Sequence, residues 1–219
     1  MIRVRIWDLP TRVFHGLLAL CVIGSVVSVK FGGNAIAWHF RFGYAILALL
    51  LFRLIWGFVG PRYARFTSFP PDPRAALANL RGAAHPAGGH NPLGAFSVYA
   101  MLAALAFQAV SGLFANDSIM WDGPLRPWVT EATSELVTRW HRLNRYLLLG
   151  LIGLHLAAIA WYSLRRGQRL VGPMLTGDRQ VDPGMAPAPA RDDARVRLGA
   201  LALLTVCAAA VAALITLAR

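Results

Sequence analysis

The chain has 219 residues, of which 57% are hydrophobic and only 15% charged, with a mean hydropathy of +0.51. A soluble domain carries roughly 25% charged residues, so a soluble globular protein is excluded. The net charge of +12 comes from 22 basic residues, nearly all arginine; they fall between apolar runs, where a membrane protein keeps its topology signals. No basic run is interleaved with exposed aromatics, so nucleic acid is excluded as a partner and membrane lipid takes its place.

Residues 1–10 are polar and aromatic and lack a signal-peptide cleavage pattern, which reads as a cytoplasmic lead-in. Five apolar segments follow, several reaching the ~20 residues a helix needs to cross hydrocarbon. The first spans 13–29 and is closed by Lys30 and the Gly32-Gly33-Asn34 turn; the second spans 38–59 and stops at Gly60-Pro61. Residues 61–91 form a loop with an amphipathic stretch around 74–80, suited to a membrane surface. The third segment follows His90-Asn91-Pro92, where Asn91 can cap and Pro92 can take the first helical position; it runs to residue 115.

A loop at 116–139 carries Asp117, Asp122, Glu131 and Glu135, and the fourth segment spans 140–164. From residue 172 the chain turns rich in Pro, Gly and Ala, and 172–195 reads as a flexible linker. The fifth segment, 198–217, holds no ionisable residue and reads as an accessory anchor. The expected organisation is a core over 1–171, a linker over 172–195 and a C-terminal transmembrane helix over 196–219. With the N-terminus inside, the inner segments carry about twice the arginine of the outer ones, which predicts a cytoplasmic N-terminus and a periplasmic C-terminus. Cys21 and Cys207 lie in apolar stretches as small hydrophobes, and the absence of C-x-x-C-H excludes covalent c-type haem attachment.

Four of six histidines lie in or at the ends of these segments: His15, His39, His141 and His155. His141 and His155 are fourteen positions apart on the fourth segment, about 21 Å and just under four turns. Their side chains leave nearly the same face at two depths. His39 stands at the outer depth and His15 at the inner, which pairs His39 with His141 and His15 with His155. An imidazole on each side of a porphyrin gives six-coordinate haem iron, with no open position for substrate and one-electron transfer as its natural chemistry. Gly16, Gly43, Gly112, Gly150 and Gly153 leave room for a flat macrocycle, or serve helix packing. A single intramembrane histidine can merely hydrogen-bond across helices; four in two depth-matched pairs point to a functional site.

Arg53, Arg142 and Arg145 are candidates for haem propionate contacts, against the alternative that each snorkels to the interface. Trp7, Trp38, Trp56, Trp140 and Trp161 read as belt aromatics. His85 and His90, in the inner loop, offer either a quinone-pocket contact or an exposed or capping role.

The order of motifs then carries a resemblance. Val4-Arg5-Ile6-Trp7-Asp8-Leu9-Pro10-Thr11-Arg12-Val13-Phe14-His15 resembles the opening of bacterial cytochrome b561 proteins, a group related to the b-type cytochrome subunit of nickel–iron hydrogenases. Further matching stretches are His39 with Gly43-Tyr44, Arg53-Leu54-Ile55-Trp56-Gly57-Phe58-Val59-Gly60 with Tyr63-Ala64-Arg65-Phe66, His90-Asn91-Pro92-Leu93-Gly94, the histidines at 141 and 155, and Pro173-Met174-Leu175-Thr176-Gly177. The resemblance covers about residues 3–177. It implies an all-α integral membrane protein: a four-helix haem-binding bundle with two haem b per chain on His15, His39, His141 and His155, in the bacterial inner membrane. A fifth helix is not required by it.

The function expected is a relay of electrons between a membrane quinone and a partner redox protein, such as a c-type cytochrome or a hydrogenase. The rival readings are a stand-alone oxidoreductase, oxidising quinol or superoxide at a haem edge, and a membrane anchor subunit of a larger redox complex. The oligomeric state is left open.

Overall fold

A computed structural model describes residues 1–81 and 88–218. His85 lies outside the described residues. In chain order the elements are strand β1 (Ile2–Arg5), helices α1 (Leu9–Phe31), α2 (Ile36–Val59), α3 (Pro73–Leu80), α4 (Pro92–Phe114), α5 (Glu131–Arg165) and α6 (Val171–Thr176), strand β2 (Asp178–Val181) and helix α7 (Ala194–Leu217), with short 3-10 turns between them. Among the described residues the regular elements are all helical apart from the two-strand ribbon. Among the described residues, five helices (α1, α2, α4, α5 and α7) are long and apolar enough to cross a membrane. A helix satisfies every backbone group internally, which is what hydrocarbon demands.

The helix starts are set by side-chain caps. Asp8 accepts the Thr11 N–H at 2.9 Å and the Thr11 hydroxyl at 2.8 Å ahead of α1, and Asp72 accepts the Arg74 and Ala75 N–H groups ahead of α3. Asn91 accepts the Gly94 N–H at 2.5 Å with Pro92 in the first position of α4, as the sequence indicates. Ahead of α5, Thr130 accepts the Thr133 N–H at 3.3 Å, so this helix begins nine residues before the expected 140. Hydropathy locates the apolar part of a helix, and the polar turns that precede it are invisible to that signal. After α1 the chain reverses through Gly32 and Gly33, whose φ values of +65° and +52° lie in the left-handed region that side chains resist.

The chain forms two compact units, and α1, α2, α4, α5 and α7 each contribute turns to both. The first comprises Met1–Phe14, Arg53–Ala100 and Leu151–Leu201; the second comprises His15–Phe52, Met101–Gly150 and Ala202–Arg219.

In the first unit β1 and β2 pair antiparallel, from Ile2 opposite Val181 to Arg5 opposite Asp178. Val4, Ile6, Trp7, Tyr63, Val181 and Ala190 form a buried cluster. The ribbon corrects the expectation of a flexible linker over 172–195. That segment holds α6 and β2, and the Ala190 N–H donates to the Arg5 carbonyl at 2.7 Å. Asp192 accepts the Leu9 N–H at 3.0 Å and pairs with Arg5 at 2.9 Å and Arg197 at 3.1 Å. Pro/Gly/Ala composition signals flexibility only where the backbone finds no partner; here β1 supplies one. Trp7 and Trp56 are likewise buried rather than belt aromatics, and the Trp56 indole donates to Asp8 at 3.3 Å. Trp38, Trp140 and Trp161 are exposed, as a belt requires.

In the second unit Leu47, Ala48, Leu113, Leu125, Val211 and Ala218 form the buried cluster. The loop after α4 is fastened to the start of α5: the Asn116 side chain donates to Ser134 at 2.8 Å, Ser134 donates to the Phe114 carbonyl at 2.7 Å, and Thr138 accepts the Asn116 N–H at 3.0 Å.

Candidate functional site

The second unit brings His39 and His141 together. His39 sits in the first turn of α2 and His141 in the third turn of α5, with ring centroids 6.2 Å apart and planes at 87°. Each ring is held from behind by another helix. On α1, the Ser25 carbonyl lies 3.1 Å and the Ser25 hydroxyl 2.9 Å from His39 Nδ1. A carbonyl only accepts, so Nδ1 of His39 carries the proton and Nε2 carries the lone pair. On α4, the Ser111 hydroxyl donates to the Gln108 carbonyl at 3.2 Å and lies 3.0 Å from His141 Nδ1. With its proton committed, the hydroxyl accepts from Nδ1, and His141 too has its lone pair on Nε2.

Gln108 completes the set. Its amide lies 3.0 Å from His141 Nε2 and donates to the His141 carbonyl at 3.1 Å, while its own carbonyl accepts from Asn144 at 2.7 Å. Asn144 also donates to the Ala104 carbonyl at 2.9 Å. Neither Gln108, Asn144, Ser25 nor Ser111 was singled out from the sequence. The signal was available: an amide or hydroxyl within an apolar span is costly unless it has a partner.

The rings line a cavity of about 650 Å³, within the few hundred to about 1,000 Å³ of cofactor sites. Val22, Phe40, Tyr44, Leu105 and Leu149 make its walls apolar. Gly43 also lines it, and a Cβ there would meet no atom within 4 Å; a Cβ on Gly112 would come within 3.1 Å of the His141 ring. Lys30, Arg142 and Arg145 line the cavity as well, and Arg145 donates to the Tyr146 hydroxyl at 2.8 Å. In the loop outside the spans, Asp117 accepts the N–H groups of Trp121, Met120 and Ile119 at 2.9, 2.8 and 2.9 Å. These bonds, that from Trp121 foremost, hold its carboxyl below the usual carboxylate range.

The donor set fits a porphyrin iron. Two metal–imidazole bonds of about 2 Å each, plus the ring half-widths, place two axial imidazole centres roughly 6 Å apart, the spacing of His39 and His141. Two imidazoles alone make an incomplete metal site; a macrocycle brings the equatorial nitrogens itself. The cationic side chains of the lining suit carboxylates and its apolar walls suit an apolar ring.

The other sequence candidates stand elsewhere. His15 is exposed on α1 in the second unit, and His155 is half-buried on α5 in the first. Arg53, 3% exposed in the first unit, stacks on the Phe66 ring at 4.7 Å. His90 packs between Trp7 and Phe69, at ring separations of 4.8 and 4.3 Å, and Asn91 is the residue that caps α4.

A sequence profile of prokaryotic cytochrome b561 matches residues 6–177. The chain belongs to the prokaryotic cytochrome b561 family. It is also similar to proteins described as probable Ni/Fe-hydrogenase B-type cytochrome subunits. That of Bradyrhizobium diazoefficiens is 23% identical over 212 residues, covering 81% of this chain and 86% of the relative. That of Rhizobium leguminosarum bv. viciae is 22% identical over 215 residues (80% and 88%), and that of Escherichia coli K12 is described as a hydrogenase 1 subunit and is 23% identical over 210 residues (80% and 89%). No solved structure matches the chain. Membership makes the protein a multi-pass b-type cytochrome of membrane electron transfer. The profile ends at the close of α6, so β2 and α7 lie beyond the family's shared region.

Proposed function

We propose that this cytochrome relays electrons through two b-type haems between a membrane quinone and a partner redox protein. His39 and His141 hold the outer haem, and His15 and His155 the inner one. The observation that carries the reading is the pair of imidazoles with ring centroids 6.2 Å apart lining one cavity; an iron on His141 Nε2 would displace the Gln108 amide that lies 3.0 Å from it. His39 and His141 would hold the haem iron, which would supply one-electron chemistry. The chain's residues fix the ring planes, exclude water with Phe40, Tyr44 and Leu149, and meet the propionates with Arg142 and Arg145 at the cavity lining.

The inner pair is supported by the continuity of α5, which carries both His141 and His155. Two haems at two depths divide the membrane into hops that tunnelling can cover. For the inner propionates the candidate is Arg53, a buried guanidinium whose Nη1 has no hydrogen-bond partner among the described residues. The arginine distribution supports an inner-membrane protein with a cytoplasmic N-terminus and periplasmic C-terminus. Residues 1–171 form the haem core, 172–195 connect, and 196–219 are the added helix. The names of the relatives favour a hydrogenase as the partner redox protein. Asp117, Asp122, Glu131 and Glu135 would instead steer a basic c-type cytochrome.

The test is a reduced-minus-oxidised spectrum of the purified chain with haem quantified per polypeptide. Two haems are expected, and His141→Ala should remove the outer one while leaving the inner. A colourless protein, or a variant that keeps both haems, contradicts the assignment. Quinol oxidation by the chain alone would favour the stand-alone oxidoreductase over the relay.

A further inference from the structure

Helix α7 lies beyond the region shared with the family, yet it is not a loose anchor in either unit. Its buried residues are Ala200, Cys207 and Val211, spaced seven and four apart on one stripe of the helix, and Ala218 just past its end is buried as well. The rest of the helix is mostly exposed, including Val206 and Leu201. In the first unit, Asp192 just ahead of α7 is bound to the Leu9 N–H, Arg5 and Arg197, so the start of the helix is fixed.

In the second unit the buried residues of this segment share a cluster with residues of the cavity lining. Val211 and Ala218 cluster with Leu47 and Ala48 of α2 and Leu113 of α4, and Tyr44, Ala109, Leu214 and Ile215 pack against that cluster. Three of these residues, Tyr44, Ala109 and Leu113, also line the cavity that holds His39 and His141. These three side chains thus belong both to the cavity lining and to the cluster that holds Val211. The apolar shell of a metal site controls its solvent access and local dielectric, and hence its redox potential. An interior at crystal-like density transmits the loss of even one methyl group to its neighbours.

We propose that α7 is the outer wall of the His39–His141 site, and that Val211 is a positioning residue that keeps Tyr44, Ala109 and Leu113 pressed into a tight, dry cavity. The fifth helix thus serves to set the potential and the retention of the outer haem. This rests on the reading of that cavity as a haem site.

The experiment uses the full-length protein in detergent. His141→Ala first assigns the outer redox component. Val211→Ala, Val211→Thr and, on the exposed face, Val206→Ala are then titrated spectroelectrochemically, and haem transfer to a scavenging apoprotein is timed. Val211→Ala should lower the midpoint potential of the outer component alone and speed its haem loss roughly three- to tenfold, as loosening one buried side chain does. Val211→Thr, which keeps the volume, should lower the potential with little change in retention. Val206→Ala should match the parent. Val211 variants that match Val206→Ala, or that shift both haems equally, overturn the proposal. A His141→Ala protein that keeps both haems fails earlier, at the assignment of the site itself.

Discussion

The hydrogen bond from His141 to Ser111 makes a signed prediction. The Ser111 hydroxyl accepts the His141 Nδ1 proton at 3.0 Å and is itself buried. An acceptor at Nδ1 raises the basicity of the ligand nitrogen and so favours the ferric iron over the ferrous. Ser111→Ala removes the acceptor. One neutral hydrogen bond is worth about 1 kcal/mol, and a tenfold change, 1.4 kcal/mol, corresponds to about 59 mV for one electron. The haem proposed at His39 and His141 should therefore rise in potential by up to roughly 40 mV, the full value applying only if the bond matters in the ferric state alone. Ser25→Ala is the internal comparison: the Ser25 carbonyl still accepts the His39 Nδ1 proton at 3.1 Å, so its shift should be smaller. Potentiometric titration of each variant with haem content checked reads both. A fall in potential in Ser111→Ala, or a larger shift in Ser25→Ala, refutes the assigned tautomers.

Two glycines and one carboxylate give further tests. A side chain at Gly43 would meet no protein atom but would enter the cavity, so Gly43→Leu should fold and lose the outer haem, read as haem per polypeptide; full occupancy would move the cofactor elsewhere. Gly112→Val presses on the His141 ring and should broaden or abolish the outer low-spin signal. For Asp192, burial works against ionisation but is outweighed by the Arg197 hydrogen bond, the Leu9 N–H and the charges of Arg197 and Arg5, so its carboxyl titrates below the usual range. A lowered folded-state value stabilises fully above the unfolded value of about 4 and is lost as pH falls through the folded value. Asp192→Asn should therefore cost about 1 kcal/mol at pH 7, discounted for its half-exposed arginine partners. Its melting temperature should converge on the parent's in acid; an equal gap at both pH values contradicts the pairing.

The membrane helices were legible because hydropathy and length alone decide what can cross a bilayer, and the caps at Asn91 and Pro92 because they are local chemistry. The start of α5 was not, since Glu131 to Arg139 are mostly polar, and the Thr130 cap and the Asn116–Ser134 bond are what hold them as helix. The ordered ribbon was hidden because its partner strands lie at opposite ends of the chain, and composition around Pro183 carries no trace of what Ile2–Arg5 will pair with. At the site, the spacing of histidines is a one-dimensional quantity and pointed to His39 and His141. Their supports are not: Gln108 and Asn144 meet across two helices thirty-six residues apart in sequence, and each alone looks like an isolated polar residue in a span.

Those supports explain how the site is specified where the hydrophobic effect cannot do it. Lipid is as apolar as leucine, so helices in a bilayer associate through packing, cofactors and interhelical hydrogen bonds. Around the cavity every helix gives something the others need: Ser25 from α1 orients His39 on α2, while Ser111 and Gln108 from α4 orient His141 on α5. Rotating any of these four helices by one residue would leave a buried or half-buried polar group unpaired, at about 1–3 kcal/mol where the group is fully buried. The ligand geometry and the helix packing are therefore one set of contacts. A group that ties α2 to α5 through both imidazoles stabilises the same arrangement that its supports select, since binding to the folded state alone is folding free energy.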